Sequence, residues 1–178
     1  LAFVPEHVRQ DLDIFAGRTG QYVFISSASA YQTPPARLPI VESTPLRNPF
    51  WQYSRNKIAC EDLLVAEYRD TGLPVTIVRP SHTYDATLVP FDGGWTVIER
   101  MRRGLPVVVP GDGTSLWTLT HTRDFARAFV GLLGDPRTLG QAFHITSVND
   151  TPSTEIYTTL GRAAGVEPSL VHVPSDRI

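Results

Sequence analysis

"QYVFISSASAYQTPPARLPIVESTPLRNPFWQYSRNK", residues 21–57, decides how this chain folds. Its first six residues, Gln21 to Ser26, form a short apolar run rich in β-branched and aromatic side chains. Such a run reads as a buried strand. "SASAYQTPPARLPIVESTPLRNPF" (27–50) follows, rich in Ser, Thr and Pro. It reads as a long loop, and a loop of that length inside a compact domain usually carries function. From about Trp51 to Arg69 the pattern predicts a long helix, ended by "DTGLP".

Working outward, the same alternation continues. Upstream, "LAFVPEHVRQDLDIFAGRTG" reads as a strand end and a short helix. Pro5 suits the first helical turn, Val8, Leu12 and Phe15 share one face, and Gly17 can end the helix. Downstream, "PVTIVRP" (74–80) is a second buried strand, and the loop "SHTYDATLVPFDGG" leads to a helix at about 94–103. Trp95, Ile98 and Met101 fall on one face of that helix. "LPVVVPGDG" reads as strand and turn. A helix at 124–134 and a strand at "AFHITS" (142–147) follow. Thr151 is placed to cap a helix beginning at Pro152 and running to Gly165. "PSLVHVP" closes as a strand.

Strands alternating with helices imply βαβ units, hence an α/β fold with a largely parallel sheet. Ligands of such sheets sit beyond the carboxyl ends of the strands. Ser26–Tyr31 and Pro80–Tyr84 both follow strands directly, so both loops are expected at one ligand crevice.

Bulk composition narrows the function. The chain has 178 residues, 42% of them hydrophobic, which suits a globular domain with a sizeable core. A net charge of −2 offers no footprint for nucleic acid or anionic membrane. No apolar run is long enough to span a bilayer. Cys60 is the single cysteine, which fits a reducing compartment, and a cytoplasmic location is expected. The five histidines show no metal-ligand spacing, so no metal site is expected. His144 and His172, in expected strands, read as structural, as does His121. Arg100, Arg102 and Arg103 suit the negative end of a helix better than a phosphate.

Lys57 is the only lysine among sixteen Lys and Arg residues, and it stands four positions after Tyr53. On a helix these two share a face. A phenol titrates near pH 10, too high for a general base at neutrality, and a nearby ammonium favours phenolate. Lysine is compact and carries three donors, so it can serve a phenol and a sugar hydroxyl together, where the guanidinium fork of arginine is too wide. Ser27, at the end of a neighbouring strand, can hold a substrate oxygen while Tyr53 exchanges its proton.

"YVFISSASAY", then "YSRNK", then "VTIVRPSHTYD" and "GDGTSLWTLTHTRDFA" together resemble the extended short-chain dehydrogenase/reductase superfamily, in its NAD-dependent epimerase/dehydratase branch. The resemblance covers nearly the whole chain. It implies an incomplete Rossmann-like parallel sheet with helices on both faces and a small C-terminal substrate-binding portion: the C-terminal half of a nucleotide-binding domain at 1–84, and at 85–178 a mixed, mostly substrate-binding region with strands returning to the sheet. By position it implies that Ser27 is the catalytic serine and Tyr53 the catalytic acid/base. It makes Lys57 the residue that binds nicotinamide ribose and tunes Tyr53. Pro80 and Ser81 would line the nicotinamide of NAD or NADP, with Ala2 and Phe3 close to the cofactor. His82 and Trp117 would approach substrate. A small-molecule substrate follows, and a homodimer built on the Tyr53 helix is implied, although Leu63, Leu64 and Val65 are equally explained by burial.

The chain also departs from that pattern. It contains no GxGxxG stretch, the loop that holds the dinucleotide diphosphate. The expectation is a fragment lacking the glycine-rich half, inactive alone. Trp117 stands where the family often has an arginine that reaches a nucleotide-sugar diphosphate, and the family's Tyr-Gly pair reads Tyr84-Asp85. The short helix before "QYVFIS" resembles atypical members, among them chloroplast RNA-binding relatives. A non-catalytic relative that binds RNA or a protein is therefore the rival reading. Trp51, Trp95 and Trp117 either line a pocket or fill the core, with the core favoured for Trp95.

Overall fold

The computed structural model describes residues 2–91, 93–174 and 177. In chain order the helices and strands are α1 (Pro5–Phe15), β1 (Tyr22–Ile25), α2 (Gln52–Thr71), β2 (Val75–Pro80), β3 (His82–Tyr84), α3 (Trp95–Arg102) and β4 (Val107–Pro110). They continue with β5 (Leu116–Trp117), β6 (Leu119–His121), α4 (Thr122–Val130), β7 (Gln141–Ile145), β8 (Thr151–Pro152), α5 (Ser153–Ala163) and β9 (Leu170–Val173). The α/β character and the parallel pairing agree with the sequence expectation. The strand end expected at Leu1 lies outside the described residues.

The chain divides into two compact units, Leu1–Ser81 with Arg123–Ile145, and His82–Thr122 with Thr146–Ile178. The 1–84 and 85–178 division expected from sequence is contiguous, whereas these units are interleaved. Strand β7 returns to the first unit because its backbone pairs with β2.

In the first unit the sheet has the order β1-β2-β7, all parallel. Ile25 pairs with Val78, and Pro80 with Ile145, so β1 and β2 end close together. The run 75–79 is wholly buried, as the apolar reading of "PVTIVRP" requires. Val8 of α1, Phe24 of β1, Cys60 and Leu64 of α2, and Val75 and Ile77 of β2 form one core. Leu64 is fully buried, worth about 1.5–3 kcal/mol by transfer alone. Leu63 and Val65 pack against the same core, so burial within the unit explains all three residues. Helix α2 ends where Gly72 takes φ +76° and its N–H reaches the Tyr68 carbonyl.

In the second unit, β3 pairs with β6 and β4 with β9, both parallel, while β5 and β8 form an antiparallel ribbon. Ile98, Met101, Val107, Val109 and Tyr157 make its core. Trp95 does not join them: it is 54% exposed, and Val97 takes the third inward position instead. The segment 82–84, expected as loop, is strand β3 because it finds β6 as a partner. Thr151 does not cap α5; Thr151 and Pro152 form β8, and the helix starts at Ser153, whose hydroxyl donates to the Ser115 carbonyl. Helix α4 starts and ends earlier than expected, at Thr122–Val130. Arg100 donates twice to the Pro106 carbonyl, closing the turn after α3.

Candidate active site

The buried face of α2 is largely polar. Ser54, Lys57, Cys60, Glu61 and Leu64 recur at helical spacing and are all buried. Each polar member must therefore find a partner inside the protein.

Lys57 is 3% exposed. Its Nζ donates to the carbonyls of Ala2 and Ile25, both at 2.8 Å. The ammonium also lies over the rings of Phe3, Phe24 and Tyr53, 4.9, 5.0 and 5.6 Å from their centroids. Burial pushes its pKa below the ordinary lysine value, while the neighbouring Cys60 and Glu61 push it back up. Among the described residues two of its three protons have acceptors, which leaves one donor for a ligand hydroxyl.

Tyr53 stands one turn earlier. Burial raises its phenol above the ordinary value, and the neighbouring Ser27 hydroxyl pulls it down. The balance in this state is upward. Trp51 lies against it, ring centroids 4.8 Å apart, and is itself 55% exposed.

Ser27 stands two residues past the last residue of β1 and opens a single 3-10 turn, where its Oγ accepts the Ser29 N–H. Ser27, Tyr53 and Lys57 thus come together within the first unit. Ala2 and Phe3, singled out by resemblance, meet Lys57 there. Pro80 ends β2, and the Ser81 N–H donates to the Ile145 carbonyl at 3.2 Å. His82 and Trp117 belong to the second unit and pack edge to face, centroids 5.4 Å apart.

Sequence reasoning missed the residues that hold this arrangement. Asn48, 7% exposed, donates through Nδ2 to the Ser29 carbonyl at 2.9 Å. Its Oδ1 accepts the N–H groups of Phe50 and Trp51. One side chain therefore ties the serine turn to the start of α2. The Asn48-Pro49 pair was the available signal, since asparagine side chains commonly bond the backbone two residues on. Deeper in, the Arg79 guanidinium makes a forked pair with Glu61, Nη2 to Oε2 at 2.6 Å, with side chains 7% and 2% exposed. Arg79 also donates to Tyr31 Oη and to the Glu42 carbonyl. Glu42 in turn accepts the His144 backbone N–H. This network fastens the long Pro-rich loop to β2 and β7.

Among the described residues no group of His, Cys, Asp or Glu could hold a metal ion, and no helix is long and apolar enough to cross a membrane.

A parallel α/β unit that carries a serine just past the end of β1, with a tyrosine and a lysine on α2, defines a Rossmann-like protein. Residues 11–146 match the NAD dependent epimerase/dehydratase family, and the chain belongs to that family. It is 29% identical over 160 residues to 2'-dehydrokanamycin reductase from Streptomyces kanamyceticus, covering 86% of this chain and 44% of the relative. It is 28% identical over 153 residues to the chloroplast stem-loop binding protein of 41 kDa b from Arabidopsis thaliana, covering 85% and 38%. The crystal structure of UDP-glucuronic acid 4-epimerase from Bacillus cereus, in complex with UDP-glucuronic acid and NAD, superposes with a TM-score of 0.85 at 20% identity. That match covers 96% of this chain and 54% of the epimerase. The chain thus spans about half or less of the length of the relatives it matches.

Proposed function

We propose that the whole protein is an NAD(P)-dependent epimerase/dehydratase or reductase acting on a hydroxyl or carbonyl group of a small molecule. The observation that carries this reading is the meeting of Ser27, Tyr53 and Lys57 in one unit. Tyr53 gives a proton to, or takes one from, the substrate oxygen. Ser27 holds that oxygen by a hydrogen bond. Lys57, with one donor to spare, holds a ribose hydroxyl and favours the phenolate by its charge. Pro80 and Ser81, at the end of β2, line the nicotinamide. His82 and Trp117 offer an aromatic surface for substrate.

The residues present fit the nicotinamide-ribose end of a dinucleotide: a buried ammonium with a donor left over suits a sugar diol. When bound, the nicotinamide supplies or accepts the hydride. Trp117 lacks the charge and the paired donors that an arginine would offer a diphosphate, which favours substrates without a nucleotide handle. The similarity to a reductase named for dehydrokanamycin points the same way.

The test is NAD(P)-linked turnover by the full-length protein. Tyr53→Phe keeps the ring but removes the proton, and turnover is expected to fall about 10²–10⁴-fold. Undiminished turnover in that variant would sink the mechanism. A second reading, RNA binding without catalysis, is favoured by the similarity to the stem-loop binding protein. Salt-sensitive RNA retention, with no NAD(P)-linked turnover, would support it.

A further inference from the structure

Trp51 stands two residues before the candidate acid/base. Its ring lies against the Tyr53 ring, centroids 4.8 Å apart and planes inclined by 39°. The sequence leaves this tryptophan as either a core filler or a pocket wall. The structure excludes the core, because Trp51 is 55% exposed and joins neither hydrophobic cluster. An indole left in water forgoes one of the largest apolar burials open to a side chain.

This exposure is not that of a loose loop. Asn48 Oδ1 accepts the Phe50 and Trp51 N–H groups at 3.1 and 3.2 Å, and its Nδ2 holds the Ser29 carbonyl. Arg55 Nη1 donates to the Pro49 carbonyl at 2.6 Å, and the Arg55 N–H reaches the Trp51 carbonyl at the start of α2. The backbone from Pro49 to Trp51 is thus tied down before any ligand arrives, which lowers the ordering cost of binding. An indole face is electron-rich, so it repels an anionic group and attracts polarised C–H bonds. The carbon that bears a reacting hydroxyl is saturated. A ring containing that carbon presents several C–H bonds on one side at once, whereas an open chain must give up rotational freedom to do so. The Tyr53 oxygen lies one bond beyond its own ring, so a six-membered ring whose oxygen meets Tyr53 spans back to the indole.

We propose that Trp51 is a substrate-binding residue whose indole stacks on the C–H face of a saturated ring, a sugar or cyclitol, while that ring's hydroxyl or carbonyl meets Tyr53. The proposal rests on the reading of Tyr53 as the acid/base and adds the class of substrate to it. Asn48 makes it testable, because it anchors the Trp51 backbone without using the indole. Changing the Trp51 side chain therefore leaves the start of α2 in place.

The probe is methyl β-D-glucopyranoside, with sorbitol as an open-chain polyol of similar size. Each is titrated into the isotope-labelled full-length protein with NAD present. The Trp51 indole N–H resonance is identified as the one missing from Trp51→Phe. The glucoside is expected to shift it saturably, and sorbitol to leave it in place. Trp51→Leu keeps apolar bulk without a ring face and is expected to weaken glucoside binding about tenfold by calorimetry. Trp51→Phe keeps a smaller face and is expected to weaken it about threefold. A resonance that the glucoside does not move overturns the proposal, as does an equal shift with sorbitol. So does a Trp51→Leu variant that binds the glucoside as tightly as the unaltered protein. A resonance that moves when the protein alone is diluted puts a second copy of the chain on the ring, and overturns the proposal too. Tyr53→Phe keeps its ring, so it is expected to keep the glucoside shift while losing turnover. If that variant keeps both the shift and the turnover, the catalytic reading fails and the stacking stands.

Discussion

Lys57 keeps its identity because its site is shaped for a small cation. Its Nζ reaches two carbonyls at 2.8 Å from a position only 3% exposed. Arginine would carry the charge, but its planar fork is bulkier and cannot point single donors at both carbonyls. Lys57→Arg is expected to cost about 1–3 kcal/mol through overpacking, seen as a lower urea midpoint with an unchanged slope. An unchanged midpoint would show that the site is not close-fitting. His144 gives the residue scale a pH dependence. Its ring packs on Tyr31 at 5.1 Å, and its Nε2 is buried without a hydrogen-bond partner among the described residues. Burial holds the imidazole below its ordinary value; Glu42 acts upward and Arg79 downward. The unfolded chain therefore takes up this proton first. Its contribution to stability is complete above about pH 6.5 and is lost as the pH falls through that value toward the lower folded pKa. His144→Phe keeps an aromatic ring and should flatten the acid side of the stability–pH curve. Equal slopes in both proteins would remove His144 from the account.

Helix α2 shows why part of the site is hard to read from sequence. Ser54, Lys57 and Glu61 are polar, yet all three are buried, each satisfied by a partner distant in the chain. Tyr53 and Lys57 were legible because their i, i+4 spacing has a chemical reason. Glu61 was not, because its reason is Arg79, eighteen residues away on β2. The strands β1 and β2 were legible as apolar runs, and the Gly72 stop as a left-handed residue. Trp95 was misplaced because helical spacing cannot say which face meets the core when Val97 is also available. The Glu61–Arg79 pair makes a prediction at this scale. Glu61→Gln leaves a buried guanidinium without its counter-charge and is expected to cost about 3–5 kcal/mol. Replacing both partners, Glu61→Leu with Arg79→Met, should recover most of that loss, because the burial penalty of both charges disappears. A double variant as unstable as the single one would mean that the bonds from Arg79 to Tyr31 and Glu42 matter more than the ion pair.

The chain crosses between its two units at 81–82, 122–123 and 145–146, yet each unit keeps its own core. Phe24, Cys60, Leu64, Val75 and Ile77 belong to one cluster; Ile98, Met101, Val107 and Val109 belong to the other. No residue is shared, so a cavity in one core removes contacts from that core alone. Leu64 and Met101 are almost completely buried and suit the comparison. Leu64→Ala and Met101→Ala are each expected to cost about 2–5 kcal/mol locally. Native-state hydrogen exchange can separate them, since it reads opening by cooperative segments. In Leu64→Ala, amides of β1, β2 and β7 should lose protection while those of β4 and β9 keep theirs. Met101→Ala should give the reverse. Loss of protection everywhere in both variants would show that the interleaved chain opens as one unit. Three covalent crossings would then couple the cores more strongly than shared packing does. Confinement of each effect would instead let the second unit change its own residues without loosening the serine turn and helix α2 of the first.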